Sequence, residues 1–325
     1  MISVAMCTYS GENFLPQQLE SIVKQTIRVD ELVICDDGSK DATIDLLHAF
    51  AKVAPFKVHI YQNEVNLGST KNFEKCMGLC AGEIIFLTDQ DDIWRADKVE
   101  MQLQYLKEHP EMDAVFSNGL MINDDSEPIG HTIWQEIEFN EKLQKQWNEG
   151  RSHEILFNGF VVTGATLALR KACLERLSPF PTHVPDLIHD AWIAMALSLE
   201  CKIGFIAQNL ISYRIHSHQQ VGFGSKVEYV SLSERISRTR TEKLLPLEEK
   251  AEKLNQLYLL LRATPFVPRE KLIKLYLAKQ HFQRRSTLPD NRFLRLTPIF
   301  NQVVKGNYKF SSNDWWIPAI GDLLE

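Results

Sequence analysis

The sequence predicts a doubly wound α/β domain on a mostly parallel sheet, with helices on both faces and a helical C-terminal extension. Two observations carry this. Short apolar runs alternate with helix-spaced segments as far as Ser117, the pattern of strands crossing over through helices. Three polar clusters each follow directly on such a run: Thr8-Tyr9-Ser10-Gly11-Glu12, Asp36-Asp37-Gly38-Ser39 and Asp89-Gln90-Asp91-Asp92. They therefore gather at the carboxyl ends of the strands, where open α/β sheets bind ligands.

The elements read in order. Residues 2–7 form a short buried strand. From Asn13 to Thr26 the apolar residues Phe14, Leu15, Leu19, Ile22 and Val23 keep a helical spacing. Glu31–Cys35 is a second strand, and Asp41 is placed to start a helix to about Val53. Lys57–Tyr61 is a third strand, followed by Asn66-Leu67-Gly68-Ser69 and a helix to about Cys80. Glu83–Thr88 is the fourth strand, Lys98–Glu108 a helix and Asp113–Ser117 a fifth strand. Further on, Phe157–Leu169 reads as apolar strands interrupted by Thr163-Gly164-Ala165-Thr166. His189-Asp190 opens a helix to Leu199, and Ile203–Ile215 is strand-like. Leucine-rich helical patterns take over from about Lys226. The expected organisation is a domain over 1–225, divided into a nucleotide-binding half (1–112) and an acceptor half (113–225), and a mainly helical region over 226–325.

The 325 residues are 44% hydrophobic and 24% charged, an ordinary globular composition. Six scattered cysteines lack zinc spacing, so a reduced, cytoplasmic protein is expected. Ile2–Met6 is too short for a signal-peptide core, and no run is long enough to span a membrane. The net charge of −6 conceals an asymmetry: residues 231–325 carry 17 Lys/Arg against 10 Asp/Glu, and residues 1–230 carry 19 against 32.

The acidic run after the fourth strand is the sharpest chemical signal. A strand that delivers three carboxylates within four residues suits a hard cation, whose shell substrate phosphates commonly complete. Crowded carboxylates repel one another, and a divalent ion relieves the repulsion. The alternative is a polar loop in which Asp92 or Asp97 caps the following helix.

Six motifs, in order, resemble glycosyltransferase family 2, the inverting enzymes with the GT-A (Rossmann-like) fold, and most of all its rhamnosyltransferase-like bacterial subgroup. They are Met6-Cys7-Thr8-Tyr9-Ser10-Gly11-Glu12, Asp36-Asp37-Gly38-Ser39-Lys40-Asp41, Asn66-Leu67-Gly68, Asp89-Gln90-Asp91-Asp92-Ile93-Trp94, His189-Asp190-Ala191-Trp192 and Tyr213-Arg214-Ile215-His216. The resemblance covers about residues 1–220. It implies transfer of a sugar from a nucleoside-diphosphate donor, dTDP-rhamnose or a UDP-sugar, to a hydroxyl of a surface glycan such as O-antigen or capsule. Tyr9 then offers a ring face to the base, Asp36 accepts from the base imide with Asp37 beside it, and Thr8 and Glu12 contact base or ribose. Asn66 and Gly68 are carried over as donor-binding positions. Asp89 falls near the ribose or sugar. Asp91, Asp92 and His216 are the metal positions for Mn²⁺ or Mg²⁺, the split between the two carboxylates being open. Asp190 matches the catalytic base. Arg214 either neutralises a phosphate or forms a structural salt bridge. Gly164 permits a close backbone approach to sugar or acceptor. Trp94 and Trp192 are core residues or acceptor platforms, with core favoured.

Between Arg262 and Arg295 nine Lys/Arg and two acids surround Leu272, Leu275, Leu277 and Phe282. This is either a basic amphipathic helix resting on an anionic membrane, at its inner face, or a helix packed on the protein with a solvated basic side. A lipid-linked acceptor would accord with the first. No nucleic-acid motif accompanies the charge. Two rival functions remain. A sugar nucleotidyltransferase lacks support because no glycine-rich basic loop is found. An inactive nucleotide-sugar-binding scaffold is disfavoured by Asp91, Asp190 and His216 occurring together.

Overall fold

The structure, a computed structural model, describes residues 1–216, 219, 240–311 and 314–324. Contacts divide the chain into two compact units, Met1–Phe223 and Gly224–Glu325. The boundary expected at 225/226 lies outside the described residues.

Unit 1 begins with β1 (Ile2–Thr8), α1 (Leu15–Val23), β2 (Glu31–Asp36), α2 (Thr43–Ala51), β3 (Lys57–Gln62), α3 (Gly68–Leu79) and β4 (Ile84–Thr88). It continues with β5 (Ile93–Trp94), α4 (Lys98–Glu108), β6 (Ala114–Ile122) and β7 (Pro128–Thr132). Four short helices follow in sequence around β8 (Ala168–Arg170): α5 (Ile133–Glu136), α6 (Glu141–Gln146), α7 (Ser152–Leu156) and, after β8, α8 (Leu174–Leu177). The unit's last elements are α9 (His189–Leu199) and β9 (Ile203–Arg214).

Among the described residues the strands form one nine-stranded sheet, ordered β3-β2-β1-β4-β8-β6-β9-β5, with β7 paired to β6. β1, β2, β3 and β4 are parallel throughout, as expected. Every residue of β2 is buried and β4 is buried from its second residue on, so both faces of this half are covered. Each fully buried Leu, Ile or Val there contributes about 1.5–3 kcal/mol. β3, at the edge, is mostly exposed.

The expected α/β sheet is observed, its parallel β1–β4 half joined to a mixed half in which β6 and β9 are again parallel. β8 lies antiparallel between β4 and β6, β5 is antiparallel to β9, and β7 to β6, so the sheet is mixed. The physical reason is connectivity: β7 returns beside β6 through a short turn, and β5 is a two-residue extension beyond β4, too short to need a crossover. The expected strands over 157–169 shrink to β8. Gly164–Thr166 is a 3₁₀ turn instead. Trp94 and Trp192 are both buried, the latter donating to Leu177 O at 2.8 Å, which settles them as core.

Unit 2 contains α10 (Arg240–Ala263), α11 (Leu272–Ser286), α12 (Arg292–Val304) and α13 (Trp316–Leu324). Leu254, Leu257 and Leu261 of α10 and Leu272, Leu275 and Phe282 of α11 are buried, so α11 turns most of its leucine stripe inward. No helix of the described residues is long and apolar enough to cross a membrane. The remaining contacts of this unit are largely polar. Arg285 Nε and Nη2 donate to the Asp322 carboxylate at 2.7 and 2.9 Å, and Tyr308 Oη donates to the same carboxylate at 2.7 Å. Buried His281 pairs its Nδ1 with Gln302 Oε1 at 3.0 Å and its Nε2 with Ser311 Oγ at 2.8 Å.

Burial lowers the His281 pKa from 6.5 to about 4, although Gln302 opposes the drop. The ring is therefore neutral in the fold while the unfolded chain begins to take up its proton near 6.5. Stability is complete above 6.5 and falls as pH drops from 6.5 towards 4, by roughly 3 kcal/mol for this group. His281→Gln should flatten the fall in melting temperature between pH 7 and pH 5. Equal slopes in variant and parent would show that the ring titrates as it does in the unfolded chain.

Candidate active site

The rim of the sheet is assembled by strand register. Thr8, at the end of β1, is the register partner of Asp36 at the end of β2. Met6 pairs with Thr88 of β4, so Asp89 emerges at the same edge. The three polar clusters predicted to converge do so.

The loops at this rim are held by the carboxylates themselves. Asp36 is fully buried. It accepts from Thr8 Oγ1 at 2.9 Å, from the Gly38 and Ser39 amides at 3.1 and 2.9 Å, and from the Ser39 hydroxyl. Asp37 accepts from Asn63 Nδ2 (2.7 Å) and from the Leu67 and Gly68 amides (2.8 and 2.9 Å), while Asn66 Nδ2 donates to its carbonyl at 3.0 Å. Gly38 and Gly68 have φ of 93° and 73°, a region that glycine enters without strain. Asp36, expected to accept from a base imide, is closed from solvent here, with both carboxylate oxygens bonded within the loop. Glu12 accepts from the Ala42 amide at 2.7 Å, next to the start of α2, and remains exposed. Tyr9 is exposed, its ring free to meet a planar ligand.

Gln90 was assigned no part by sequence reasoning, yet it holds the Tyr9 loop. Its Oε1 accepts from the Tyr9 amide at 2.9 Å and its Nε2 donates to the Tyr9 carbonyl at 3.0 Å. A Cβ on Gly11 would stand 2.2 Å from the same amide, so a side chain there would displace Gln90 from the Tyr9 loop. The signal was a glutamine between two acids. Its partner lies 81 residues away.

Asp89 is half-buried. Burial pushes its carboxyl up to about 8, and the charges of Asp91 and Asp190 add to the rise. Asp91 Oδ2 meets His216 Nε2 at 2.9 Å, both side chains being largely covered. Phe14 backs the imidazole, ring centroids 4.8 Å apart. Two carboxylates in mutual repulsion beside an imidazole are donors that fit a borderline-hard cation such as Mn²⁺. Among the described residues no three acidic, histidine or cysteine side chains close into a preformed cage, so any ion needs oxygen ligands from substrate or water.

Asp92 does not face that opening. It is fully buried; its Oδ1 accepts from the Arg214 amide at 3.1 Å and its Oδ2 has no hydrogen-bond partner. Burial, then Asp91 and Asp89, hold its carboxyl well above the usual range. Asp92, expected as a metal position, thus lies inside the fold, bonded to the Arg214 amide. Below it Lys98, also buried, lies 4.3 Å from the Trp94 ring centre and donates to Gln102 Oε1 at 2.8 Å. Burial lowers its pKa to about 7, against the pull of Asp92.

Arg214 is fully buried and its guanidinium is committed to the protein. Nε donates to Asp91 O at 2.9 Å. Nη1 donates to Asn123 O, Asp124 O and Ser126 Oγ at 2.9, 3.0 and 3.0 Å, and Nη2 to Gln17 Oε1 at 2.6 Å. Of the two parts expected of it, phosphate contact or a structural one, these bonds are of the structural kind.

Asp190 sits in the first turn of α9 and is half-buried. Ile188, not Asp190, occupies the cap position. Asp190 Oδ2 accepts from the Gly164 amide at 2.7 Å, and Oδ1 from the Ala191 amide at 2.7 Å. Gly164 does permit a close approach, but of Asp190 and His189: a Cβ there would lie 2.7 Å from His189 Nε2 and 3.3 Å from Asp190 Oδ2. His189 is a second residue that carried no assigned part. Its ring is buried and stacked on Phe73, centroids 3.9 Å apart, and its Nδ1 is 3.3 Å from Ser69 Oγ. Burial lowers its pKa, while Asp190 pulls the other way.

The sheet, with an acidic strand end and a separate carboxylate on a helix start at one rim, has the GT-A fold, and solved structures share it. S. aureus TarS in complex with UDP-GlcNAc superposes with a TM-score of 0.53 at 16% identity, covering 95% of this chain and 88% of that one. A mannosyltransferase from Pyrobaculum calidifontis, in complex with GDP-Man and Mn²⁺, gives 0.52 at 14% identity, covering 99% and 84%. Residues 3–177, more than half of the chain, match the profile of glycosyl transferase family 2, and the protein belongs to that family. It is 25% identical over 218 residues to the O-antigen chain rhamnosyltransferase RfbN of Salmonella typhimurium, covering 67% of this chain and 66% of that one. It is 28% identical over 144 residues to the Escherichia coli UDP-Glc:alpha-D-GlcNAc-diphosphoundecaprenol beta-1,3-glucosyltransferase WfgD, covering 44% and 55%. The chain spans about half the length of several curated relatives that it matches.

Replacing Arg214 by Met should cost about 3–5 kcal/mol in a urea titration, because the five acceptors of the guanidinium lose their donor, while the backbone amide that holds Asp92 is kept. Stability within 1 kcal/mol of the parent, on the order of a surface substitution, would show that the guanidinium is dispensable to the fold.

Proposed function

We propose that this chain is a metal-dependent inverting glycosyltransferase, moving a sugar from a nucleoside-diphosphate donor to a hydroxyl of a glycan acceptor. The reading rests above all on one observation: Asp89 and Asp91 from the end of β4, and Asp190 from the start of α9, lie within electrostatic reach of one another. Carboxylates about a hundred residues apart repel at this rim; His216 meets Asp91, and the Arg214 guanidinium, within electrostatic reach of Asp91, is bonded to acceptors of the protein itself. Folding holds such repulsion only where something else offsets it.

In this reading the parts divide as follows. Asp190 is the base. Two backbone amides, of Gly164 and Ala191, hold its carboxylate in one orientation, and the neighbouring His189 ring walls it on one side. Asp190 takes the proton of the acceptor hydroxyl as that oxygen bonds to the anomeric carbon and the bond to the diphosphate breaks. One displacement at one face inverts the configuration. Asp91 and His216, with Asp89 close by, are the residues that would hold Mn²⁺ or Mg²⁺. When bound, the ion supplies Lewis-acid neutralisation of the departing diphosphate. Thr8, Asp36, Asp37, Asn66 and Gly68 shape the donor loop rather than reading the base, and Tyr9 and Glu12 are the side chains left open to the nucleotide.

The likeness to RfbN and WfgD supports a surface glycan such as O-antigen or capsule as acceptor, with dTDP-rhamnose or a UDP-sugar as donor. WfgD's diphosphoundecaprenol substrate makes a lipid-linked acceptor the natural form to try. The Mn²⁺ in the Pyrobaculum calidifontis complex favours that ion as the first probe.

A thermal-shift screen of UDP, dTDP and GDP with Mn²⁺ tests the donor site. A ligand present at a hundred times its Kd should add about 2.7 kcal/mol. Asp91→Ala should remove the Mn²⁺-dependent part of that shift; an unchanged metal titration would move the ion elsewhere. Asp190→Asn should keep the shift and lose transfer and donor hydrolysis by roughly a hundredfold or more. Transfer at the parent rate would exclude Asp190 as the base, and absence of donor hydrolysis in the parent would favour the scaffold reading.

A further inference from the structure

α12 is built inside out. Its inward face carries Arg295 and Gln302 beside Ile299, all buried. Its outward face carries Phe293, Leu296, Phe300 and Val304, spaced three, four and four residues apart, which is one face of a helix. Phe293 is 82% exposed, Phe300 66% and Val304 69%. A helix on a water-facing surface does the reverse. The buried polar groups are satisfied, so the inversion is designed into the packing. Arg295 donates to Pro289 O, Asp290 O and Asp322 O at 2.6, 3.0 and 3.1 Å, and Gln302 Oε1 meets His281 and Asn307. α13, which packs against α12, adds exposed Trp316 and Ile320 one turn apart.

We infer that the outward face of α12, with Trp316 and Ile320 of α13, is a docking surface for an anionic lipid bilayer, lying in the interface without crossing it. Charge decides between occupants. From Asn291 to Asn313 the chain has Arg292, Arg295, Lys305 and Lys309 and no Asp or Glu. Arg292, Lys305 and Lys309 are exposed, and the nearest acids in sequence are Asp290 and Asp314, outside the helix. A second copy docked about a two-fold axis would set this basic rim against itself. A bilayer surface bearing anionic headgroups complements it, while the aromatic and aliphatic side chains enter the acyl boundary. Tryptophans at the edge of the apolar stripe suit headgroup depth. The surface overlaps the segment between Arg262 and Arg295 only at its end, from Arg292 on; Leu272 and Leu275 of the preceding helix face inward. It stands apart from the choice of donor and acceptor.

Flotation of the full chain with vesicles tests this. The chain should float with an equimolar mixture of phosphatidylglycerol and phosphatidylcholine and far less with phosphatidylcholine alone. The double variant Phe293→Ser, Phe300→Ser should lower the bound fraction on the order of tenfold. Lys305→Ser with Lys309→Ser should lower it as added salt does. All four side chains are exposed, so melting temperature and donor-induced thermal shift should stay at parent values. Failure to float with the anionic vesicles, or equal flotation of the Phe variants, overturns the inference. So does a dimer in light scattering that the Phe substitutions dissociate.

Discussion

One guanidinium ties the catalytic rim together. Arg214 ends β9 and is sealed from water. From there it donates to the carbonyl of Asp91 in the β4–β5 connection, to Asn123, Asp124 and Ser126 in the β6–β7 turn, and to Gln17 of α1. Its own amide holds Asp92. Segments far apart in sequence are thereby fixed to one planar group. Two residues on, His216 arrives beside Asp91 because Arg214 has set the exit path of β9. A lysine has neither the fork nor the donor count to do this.

The donor-side loops follow the same economy. Asp36 and Asp37 spend their carboxylates on backbone amides and short polar side chains of their own neighbourhood, and Gln90 clamps Tyr9 across the rim. These loops need little further ordering when a ligand arrives, which lowers the entropy cost of binding. Asp89, Asp91 and Asp190 still repel one another there, and burial with that repulsion raises the Asp89 carboxyl.

Unit 2 solves a different problem. Its described helices share a small apolar core, with Leu288, Ile299, Tyr308 and Ala319 clustered at the C-terminal end. Polar pairs, Arg285 with Asp322 and His281 with Gln302 and Ser311, occupy the interior beside that cluster. Large apolar side chains that would ordinarily fill such a core stand outside on α12. Interior polarity and exterior apolarity are two sides of one arrangement, and it makes sense only if the outer surface has an apolar environment of its own.

The parallel half of the sheet was legible in the sequence, because β1 to β4 each bury consecutive apolar residues and each ends in a polar cluster. The family motifs named Asp89, Asp91, Asp190 and His216, and the structure brings these together. Other parts were not legible. The sheet is mixed because β8 inserts between β4 and β6, and a three-residue strand leaves no periodic trace. Arg214, Asp36 and Asp92 carry charge that sequence reads as available to a ligand; burial and five or fewer hydrogen bonds each turn them inward. Gln90 and His189 act on partners dozens of residues away. The outward face of α12 was hidden because an amphipathic pattern states that a helix has two faces, not which one the fold covers. The sequence alone determined which residues are polar, apolar, charged or free to turn, and their order along each strand and helix. Only the tertiary structure decided which of those groups meet water, since burial depends on neighbours that chain order does not specify.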